Sequence, residues 1–191
     1  MSQTKDEDLI QEVHLTDGQI NSLKNKSIIV DSCVLLYCEG QVFKSEIRKI
    51  LRTLVNNKNR LGISLVSGFE VLSNSEIKFR KYFVKLLNYF KNIDVNRDIL
   101  SNGVVLYRSY GRININYLKS ISPCDFIIGG TAIYLKDAVL FTGDRRHFPS
   151  PIWDIVATVY ITYKSFEEYR ILNLYLLQPN IKIINKLANE K

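Results

Sequence analysis

Short apolar runs of strand length alternate along this chain with amphipathic segments of helical period, and this alternation restricts the fold more than any other feature. Strand-type runs lie at Ile28 to Val30, Leu61 to Val66, Ile93 to Val95, Ala138 to Phe141 and Ile155 to Ile161, and helical patterns separate the first four of these runs from one another. Strands that alternate with helices of this length form βαβ units. The sequence therefore predicts an α/β fold, with a mainly parallel central sheet and helices on both faces.

Two serines predict where helices begin. Ser122 is followed by Pro123 and then by Asp125, the spacing of an N-cap, a first helical residue and a capping-box acid. Ser67 is the second predicted N-cap, and it would place Glu70 at the third helical position. Asp125 can therefore be a helix cap without chemistry or a site residue held at a helix start.

Four acidic residues stand at the edges of apolar runs, where a buried carboxylate is normally excluded. They are Asp31, Glu70, Asp125 and Asp144. Two follow strands and two lie at predicted helix starts, and the carboxyl ends of parallel strands converge on one crevice. Like charges about 4 Å apart repel by roughly 4 kcal/mol per pair, so such a cluster needs protons or cations. A divalent metal ion is the simplest answer, and oxygen ligands suit Mg²⁺ or Mn²⁺.

The chain has no repeat or linker that divides it. We predict one domain at 27–164, between an acidic N-terminal extension at 1–26 and a C-terminal helical tail at 165–191. Residues 27–164 hold 19 basic and 11 acidic residues, while the whole chain has a net charge of +7. A cationic body around an anionic pocket suits an enzyme of a polyanion, although an ordinary solvated surface explains the charge equally well.

The sequence predicts a cytoplasmic protein outside the membrane. No apolar run reaches the roughly 20 residues of a membrane span, and the first residues lack a secretory pattern. The three cysteines are an odd number without metal-ligand spacing, which indicates reduced thiols. Cys33 and Cys124 flank predicted site acids, but we interpret them as small buried hydrophobic residues.

The motifs around the four acids, in this order, resemble those of the PIN-domain nucleases over about residues 27–164. They are Val30-Asp31-Ser32, Ser67-Gly68-Phe69-Glu70, Cys124 to Ala132 and Leu140 to Phe148. The resemblance implies a three-layer PIN-like fold and a Mg²⁺- or Mn²⁺-dependent ribonuclease whose acidic positions match these four residues. It also implies supporting hydroxyls at Ser32 and Thr142. The chain departs from the family pattern at Cys33 and Gly143, neither of which is a metal ligand in the family.

Basic residues near these motifs are candidates for RNA contacts. Arg145 and Arg146 directly follow Asp144 and are the first choice for contacts with substrate phosphate. Two further basic sets are explained equally well as solvated helix faces. They are Lys44, Arg48 and Arg52, and Lys78, Arg80, Lys81 and Lys85. We interpret His147 as a surface or packed residue beside Phe148 rather than as a general acid.

The leading hypothesis is an endoribonuclease, and within the family the resemblance favours the VapC-type toxin of a toxin–antitoxin pair. The extensions at 1–26 and 165–191 favour an RNA-maturation or decay nuclease instead. A catalytically silent RNA-binding or scaffold module of the same fold is the alternative from another class. The expected partners are RNA, an antitoxin protein and a second copy of the chain. A haloacid-dehalogenase-type phosphatase is less compatible, because no aspartate lies two residues after Asp31.

Overall fold

The computed structural model describes residues 10–14, 16–38, 43–165 and 168–190. Its strands are β1 (Ile10–His14), β2 (Ser27–Val30), β3 (Arg60–Ser64), β4 (Lys91–Ile93), β5 (Ala138–Thr142), β6 (Trp153–Ser165) and β7 (Glu168–Pro179). Its helices are α1 (Asp17–Ser22), α2 (Ser32–Tyr37), α3 (Lys44–Asn56), α4 (Leu65–Asn74), α5 (Ile77–Leu87), α6 (Arg97–Ile113), α7 (Tyr117–Ser120), α8 (Pro123–Tyr134) and α9 (Ile181–Asn189).

The described strands form one mixed sheet in the order β1-β6-β7-β5-β2-β3-β4. Strands β5, β2, β3 and β4 are parallel neighbours, whereas β7, β6 and β1 continue the sheet in antiparallel pairing. The predicted α/β class with a parallel centre is confirmed. Since β2, β3 and β5 point the same way, the residues that follow them lie at one edge of the sheet.

Helices cover both faces of this sheet, and the alternation of side chains along the strands separates two cores. On β2, Ile28 and Val30 face a cluster that includes side chains from α2, α3 and α5. Ile29 faces the opposite cluster, which includes side chains from α6, α8 and α9. Each such side chain, fully removed from water, contributes on the order of 2 kcal/mol. The strand at the centre is apolar on both faces because each face is covered by helices.

The predicted helical tail at 165–191 is wrong for its first half. Residues 168–179 form β7, which pairs with both β5 and β6, and only α9 is helical. An apolar segment such as Ile171 to Leu177 can pack as either a helix or a strand, and here long-range pairing decides. The predicted limits at 27 and 164 are also too narrow, because β1 and β7 belong to the same sheet.

The predicted N-cap at Ser67 is wrong as well. The strand ends at Ser64, which is itself the N-cap of α4, and the helix begins at Leu65. Glu70 is therefore the sixth residue of α4 rather than the third. Leu65 and Val66 fit a strand or a helix equally well by polarity, so the pattern alone could not locate the boundary.

The helix α8 crosses α6 so closely that only glycine fits at the contact. A Cβ atom on Gly130 would lie 2.5 Å from the carbonyl oxygen of Ile99 and 2.9 Å from the amide nitrogen of Gly103. These obstacles are backbone atoms, which cannot move aside as a flexible side chain can. The crossing therefore fixes the position of α8, whose first turn contains Asp125.

Candidate active site

Asp31 lies at the carboxyl end of β2 and is the N-cap of α2. Its side chain is only 4% exposed and accepts hydrogen bonds from the Ser32 amide at 2.7 Å, the Thr142 hydroxyl at 2.6 Å and the Cys33 thiol at 3.2 Å. Burial raises the pKa of Asp31, the charge of Asp125 raises it further, and the hydrogen bonds oppose both effects. Asp31 is a carboxylate held rigidly in a place that disfavours its charge.

Asp125 is held by the capping box that the sequence predicts. Its Oδ2 accepts from the Ser122 amide at 2.9 Å, and its own amide donates to the Ser122 hydroxyl at 3.2 Å. Pro123 occupies the first turn of α8, as expected. The local cap thus fixes the Asp125 side chain, which is 11% exposed, at the sheet edge where Asp31 also lies.

Glu70 reaches the same place from α4. Burial raises its pKa, and the charges of Asp125 and Asp31 raise it further, while hydrogen bonds from Ser32 and Cys124 act in the opposite direction. The three carboxylates Asp31, Glu70 and Asp125 therefore lie within one another's electrostatic field. They come from three separate segments of the chain and repel one another.

Asp144 lies two residues beyond β5 and forms an ion pair with Arg146. Burial alone would raise the pKa of Asp144, but hydrogen bonds from Arg146 and the charge of His147 outweigh this and lower it. The Arg146 guanidinium donates to both Asp144 oxygens, at 3.1 and 3.0 Å. Asp144 is thus ionised more readily than Asp31 or Glu70, and it stands at the border of the cluster.

His147 contacts both Asp125 and Asp144, and the sequence did not predict these contacts. Its Nδ1 lies 3.2 Å from Asp125 Oδ2, and its Nε2 lies 3.6 Å from Asp144 Oδ2. The available signal was its spacing of three residues after Asp144 in a turn. The imidazole thus contacts two of the candidate acids, and its interpretation as a surface or packed residue rather than a general acid stays a prediction.

Thr142 and Cys33 both contact the Asp31 carboxylate. The Thr142 hydroxyl donates to Asp31 and accepts from the Asp144 amide at 3.0 Å, and it links two of the acids. Cys33 takes part as well, because its sulfur donates to Asp31 and accepts from the Gly143 amide at 3.1 Å. Burial raises the pKa of the Cys33 thiol well above its usual range, and the Asp31 charge adds to this, so the thiol remains a proton donor. Cys33 and Cys124 are only partly buried, so the interpretation of both as small buried hydrophobic residues is wrong, and Cys33 is a hydrogen-bonding part of the site.

The predicted RNA-contacting residues fall into different surroundings. Arg145 turns toward the protein and donates to the carbonyl oxygen of Trp153 at 3.1 Å, so it serves the fold. Arg146 is 88% exposed at its side chain but is engaged by Asp144. Arg80 and Lys81 are exposed on α5, and the Lys78 side chain lies outside the described residues. Both arginines after Asp144 are therefore already engaged by other groups of the protein.

The donor set of this site fits a hard divalent cation by chemistry. Asp31, Glu70 and Asp125 supply carboxylate oxygens, and their mutual repulsion is the property that a cation would relieve. In the described part of the chain, no three His, Cys, Asp or Glu side chains are placed so that they could hold a metal ion as they stand. The acids instead accept hydrogen bonds from Thr142, Ser122 and Arg146.

The fold and the acidic edge define a class of α/β enzymes that act with carboxylates at the ends of parallel strands. The PIN-domain family model matches residues 28–150, well over half of the chain, and the chain belongs to this family. Members of the family are generally nucleases that use divalent metals. No curated protein matches the chain. Among the described residues, none of the helices has the length and apolar character needed to cross a membrane.

Proposed function

We propose that this chain is a Mg²⁺- or Mn²⁺-dependent endoribonuclease that hydrolyses RNA phosphodiesters at the edge formed by Asp31, Glu70 and Asp125. The observation that carries this proposal is the convergence of three mutually repelling carboxylates from β2, α4 and α8 in a PIN-domain fold. A cation shared by these carboxylates would offset the repulsion between them. Asp144 is an outer member of the set, through His147.

Each residue has a role that follows from its contacts. Asp31 and Asp125 would be the principal ligands, because hydrogen bonds from Thr142 and Ser122 fix their carboxylates. Glu70 is the less buried acid with a raised pKa, which suits either a ligand or a base that orients the attacking water. Bound divalent ions would lower the pKa of that water and stabilise the charge on the phosphoryl oxygens. The products would carry 5′-phosphate and 3′-hydroxyl ends.

Two biological roles are compatible with this chemistry in the cytoplasm. As the toxin of a toxin–antitoxin pair, the protein would bind an antitoxin, and a homodimer would be the usual assembly. As an RNA-maturation or decay nuclease, it would need no such partner. A neighbouring reading frame for a short protein with a DNA-binding N-terminus would favour the toxin role.

The proposal is tested by incubating the purified protein with single-stranded RNA in Mg²⁺, in Mn²⁺ and in EDTA, and by identifying the product ends. We expect cleavage in both metals, no cleavage in EDTA, and 3′-hydroxyl ends that poly(A) polymerase extends. Cleavage that persists in EDTA, or products with 2′,3′-cyclic phosphates, would contradict the proposed mechanism, because such products come from attack by the RNA's own 2′-hydroxyl.

A further inference from the structure

A groove with an apolar floor and basic walls lies between α3 and α5, on the face of the sheet opposite α6 and α8. It has a volume of about 500 Å³. Its lining residues are Arg48, Leu51, Arg52, Val55, Asn56, Leu61, Leu86, Tyr89 and Phe90. Tyr89 is 84% exposed, and Val55 is 52% exposed. The Tyr89 side chain is therefore accessible to whatever occupies the groove.

The two helices beside this groove carry most of the chain's excess positive charge. Together they contain eight basic residues and one acidic residue, Glu46, whereas the whole chain has a net charge of +7. Lys49, Arg52, Lys81 and Lys85 are exposed. Neither Arg48 nor Arg52 pairs with a carboxylate among the residues that the structure describes. The charge is therefore available to an anionic partner.

Tyr82 links Arg48, which lines the groove, to the end of α2. The Arg48 guanidinium donates to the Tyr82 hydroxyl, and the Lys44 ammonium lies 4.9 Å from the centre of the Tyr82 ring. The Tyr82 hydroxyl in turn donates to the carbonyl oxygen of Cys38, at the end of α2, at 3.2 Å. Since α2 begins directly after Asp31, the carbonyl of Cys38 lies about 10 Å from Asp31 along the helix axis.

We propose that the groove binds single-stranded nucleic acid, with phosphates on Arg52 and Lys85 and a base stacked on Tyr89. Under the proposed nuclease function, on which this inference rests for the identity of the strand, the ligand is RNA that flanks the cleavage site. Bases in a duplex are stacked inside it and cannot reach an aromatic ring, whereas unpaired bases stack on such rings regardless of sequence. The apolar floor beneath the charged rim matches a strand that has both phosphates and exposed bases.

The charge contribution is tested by fluorescence anisotropy with a labelled single-stranded RNA in EDTA, over a series of NaCl concentrations. The groove pair, Arg52→Ala with Lys85→Ala, is compared with the control pair, Lys182→Ala with Lys186→Ala, two exposed lysines on α9 at the other face. Both pairs remove two positive charges. We expect only the groove pair to weaken binding and to reduce the log–log salt slope by about 1.4, which is about 0.7 for each lost phosphate contact.

The stacking contribution is tested with Tyr89→Leu and Tyr89→Phe in the same assay. We expect Tyr89→Leu to lower affinity for the single strand by about fivefold or more, and Tyr89→Phe to retain it because the ring remains. Affinity for duplex RNA should not depend on Tyr89. Equal losses from the groove pair and the control pair, or an unchanged affinity in Tyr89→Leu, would overturn the proposal.

A third probe separates nucleic acid from an acidic protein segment. If the groove pair loses binding to polyglutamate but keeps wild-type affinity for the single-stranded RNA, the occupant is an acidic peptide and the proposal fails. Because these assays measure binding without turnover, they are independent of cleavage. Absence of cleavage would refute the nuclease function alone, and normal cleavage with unchanged RNA affinity in the groove variants would refute the groove alone.

Discussion

The carboxylate of Asp31 has hydroxyl, thiol and amide donors around it, and the charge that acts on it is that of another acid, Asp125. Thr142, Cys33 and Ser32 hold its two oxygens, and Asp125 raises its pKa in addition to burial. Glu70 is in the same situation with fewer contacts. Asp144 is the contrasting case, because Arg146 neutralises it and its pKa is lowered. The three acids that repel one another are those that we propose as metal ligands.

This contrast predicts how stability depends on pH at Glu70. A raised pKa means that the fold favours the protonated form, so its contribution to the free energy of unfolding is lost as pH rises through the raised pKa. In EDTA, Glu70→Gln should therefore be at least as stable as the wild type at pH 7. It should also lose less stability between about pH 4, near the ordinary glutamate pKa, and pH 7. Urea unfolding at several pH values measures this difference.

In Mg²⁺ the wild type should instead be more stable than Glu70→Gln, because a shared cation removes the repulsion between the carboxylates. The wild type should gain stability from Mg²⁺, and Glu70→Gln should gain less, since it lacks one ligand. Glu168→Gln is the matched control, because Glu168 is exposed on β7 and pairs with Arg170. A wild type that is unaffected by Mg²⁺, or a Glu70→Gln variant that is less stable than the wild type in EDTA at pH 7, would contradict this account.

The sequence could identify the acids but not the partners that orient them. Each of the four acids stands at the edge of an apolar run, so local pattern was sufficient to find them. The contacts of His147 with Asp125 and Asp144, and of Cys33 with Gly143, depend on where chain segments meet. Arg145 was predicted to contact substrate phosphate because it follows Asp144, yet its side chain turns inward and donates to the carbonyl oxygen of Trp153.

At the scale of elements, the position of α8 matters most, because it carries Asp125 against the carboxyl end of β2. The capping box at Ser122 fixes the first turn of the helix, and the glycine contact with α6 fixes its distance from the neighbouring helix. The capping box and the glycine contact act at different points of α8. The position of one site acid therefore depends on packing beyond the turn that contains it.

Gly130→Ala should be destabilising for this reason. The new methyl group would press against the backbone of Ile99 and Gly103, and overpacking of this kind typically costs about 1–3 kcal/mol. Gly18→Ala is the matched control, because Gly18 lies in α1 and a methyl group added there would have no neighbouring atom within 4 Å. The control should be neutral or slightly stabilising, by up to about 1 kcal/mol. Chemical denaturation of both variants measures these effects, and equal stability of the two would contradict the close crossing of α6 and α8.

Elements with strong local signals could be predicted, and those set by distant pairing could not. The start of α8 follows from Ser122 and Pro123, residues that act on their own neighbours. The strand nature of β7 is decided by partners far along the chain, because β7 lies between β5 and β6. The end of β3 at Ser64 has no comparable local signal. The apolar segment of β7 is compatible with a helix until those partners are known.

The whole molecule has an anionic edge and a cationic face that serve one proposed purpose. The parallel half of the sheet brings Asp31, Glu70 and Asp125 together at the carboxyl ends of its strands, while α3 and α5 carry the excess of basic residues. A negatively charged polymer is attracted by the face and repelled by the edge unless cations occupy the edge. Under the proposed function, this charge distribution would couple the binding of an RNA strand to the binding of a metal ion.

The most direct test of the central claim compares RNA cleavage by the wild type, Asp31→Asn and Asp125→Asn in Mg²⁺. We expect each variant to lose cleavage of single-stranded RNA while remaining folded by circular dichroism, because each removes a charge that the site needs to hold a cation. Asp137→Asn, an exposed acid just before β5, is the control and should cleave like the wild type. Equal RNA turnover by the wild type and the folded Asp31→Asn and Asp125→Asn variants would contradict the assignment of these carboxylates as the nuclease site.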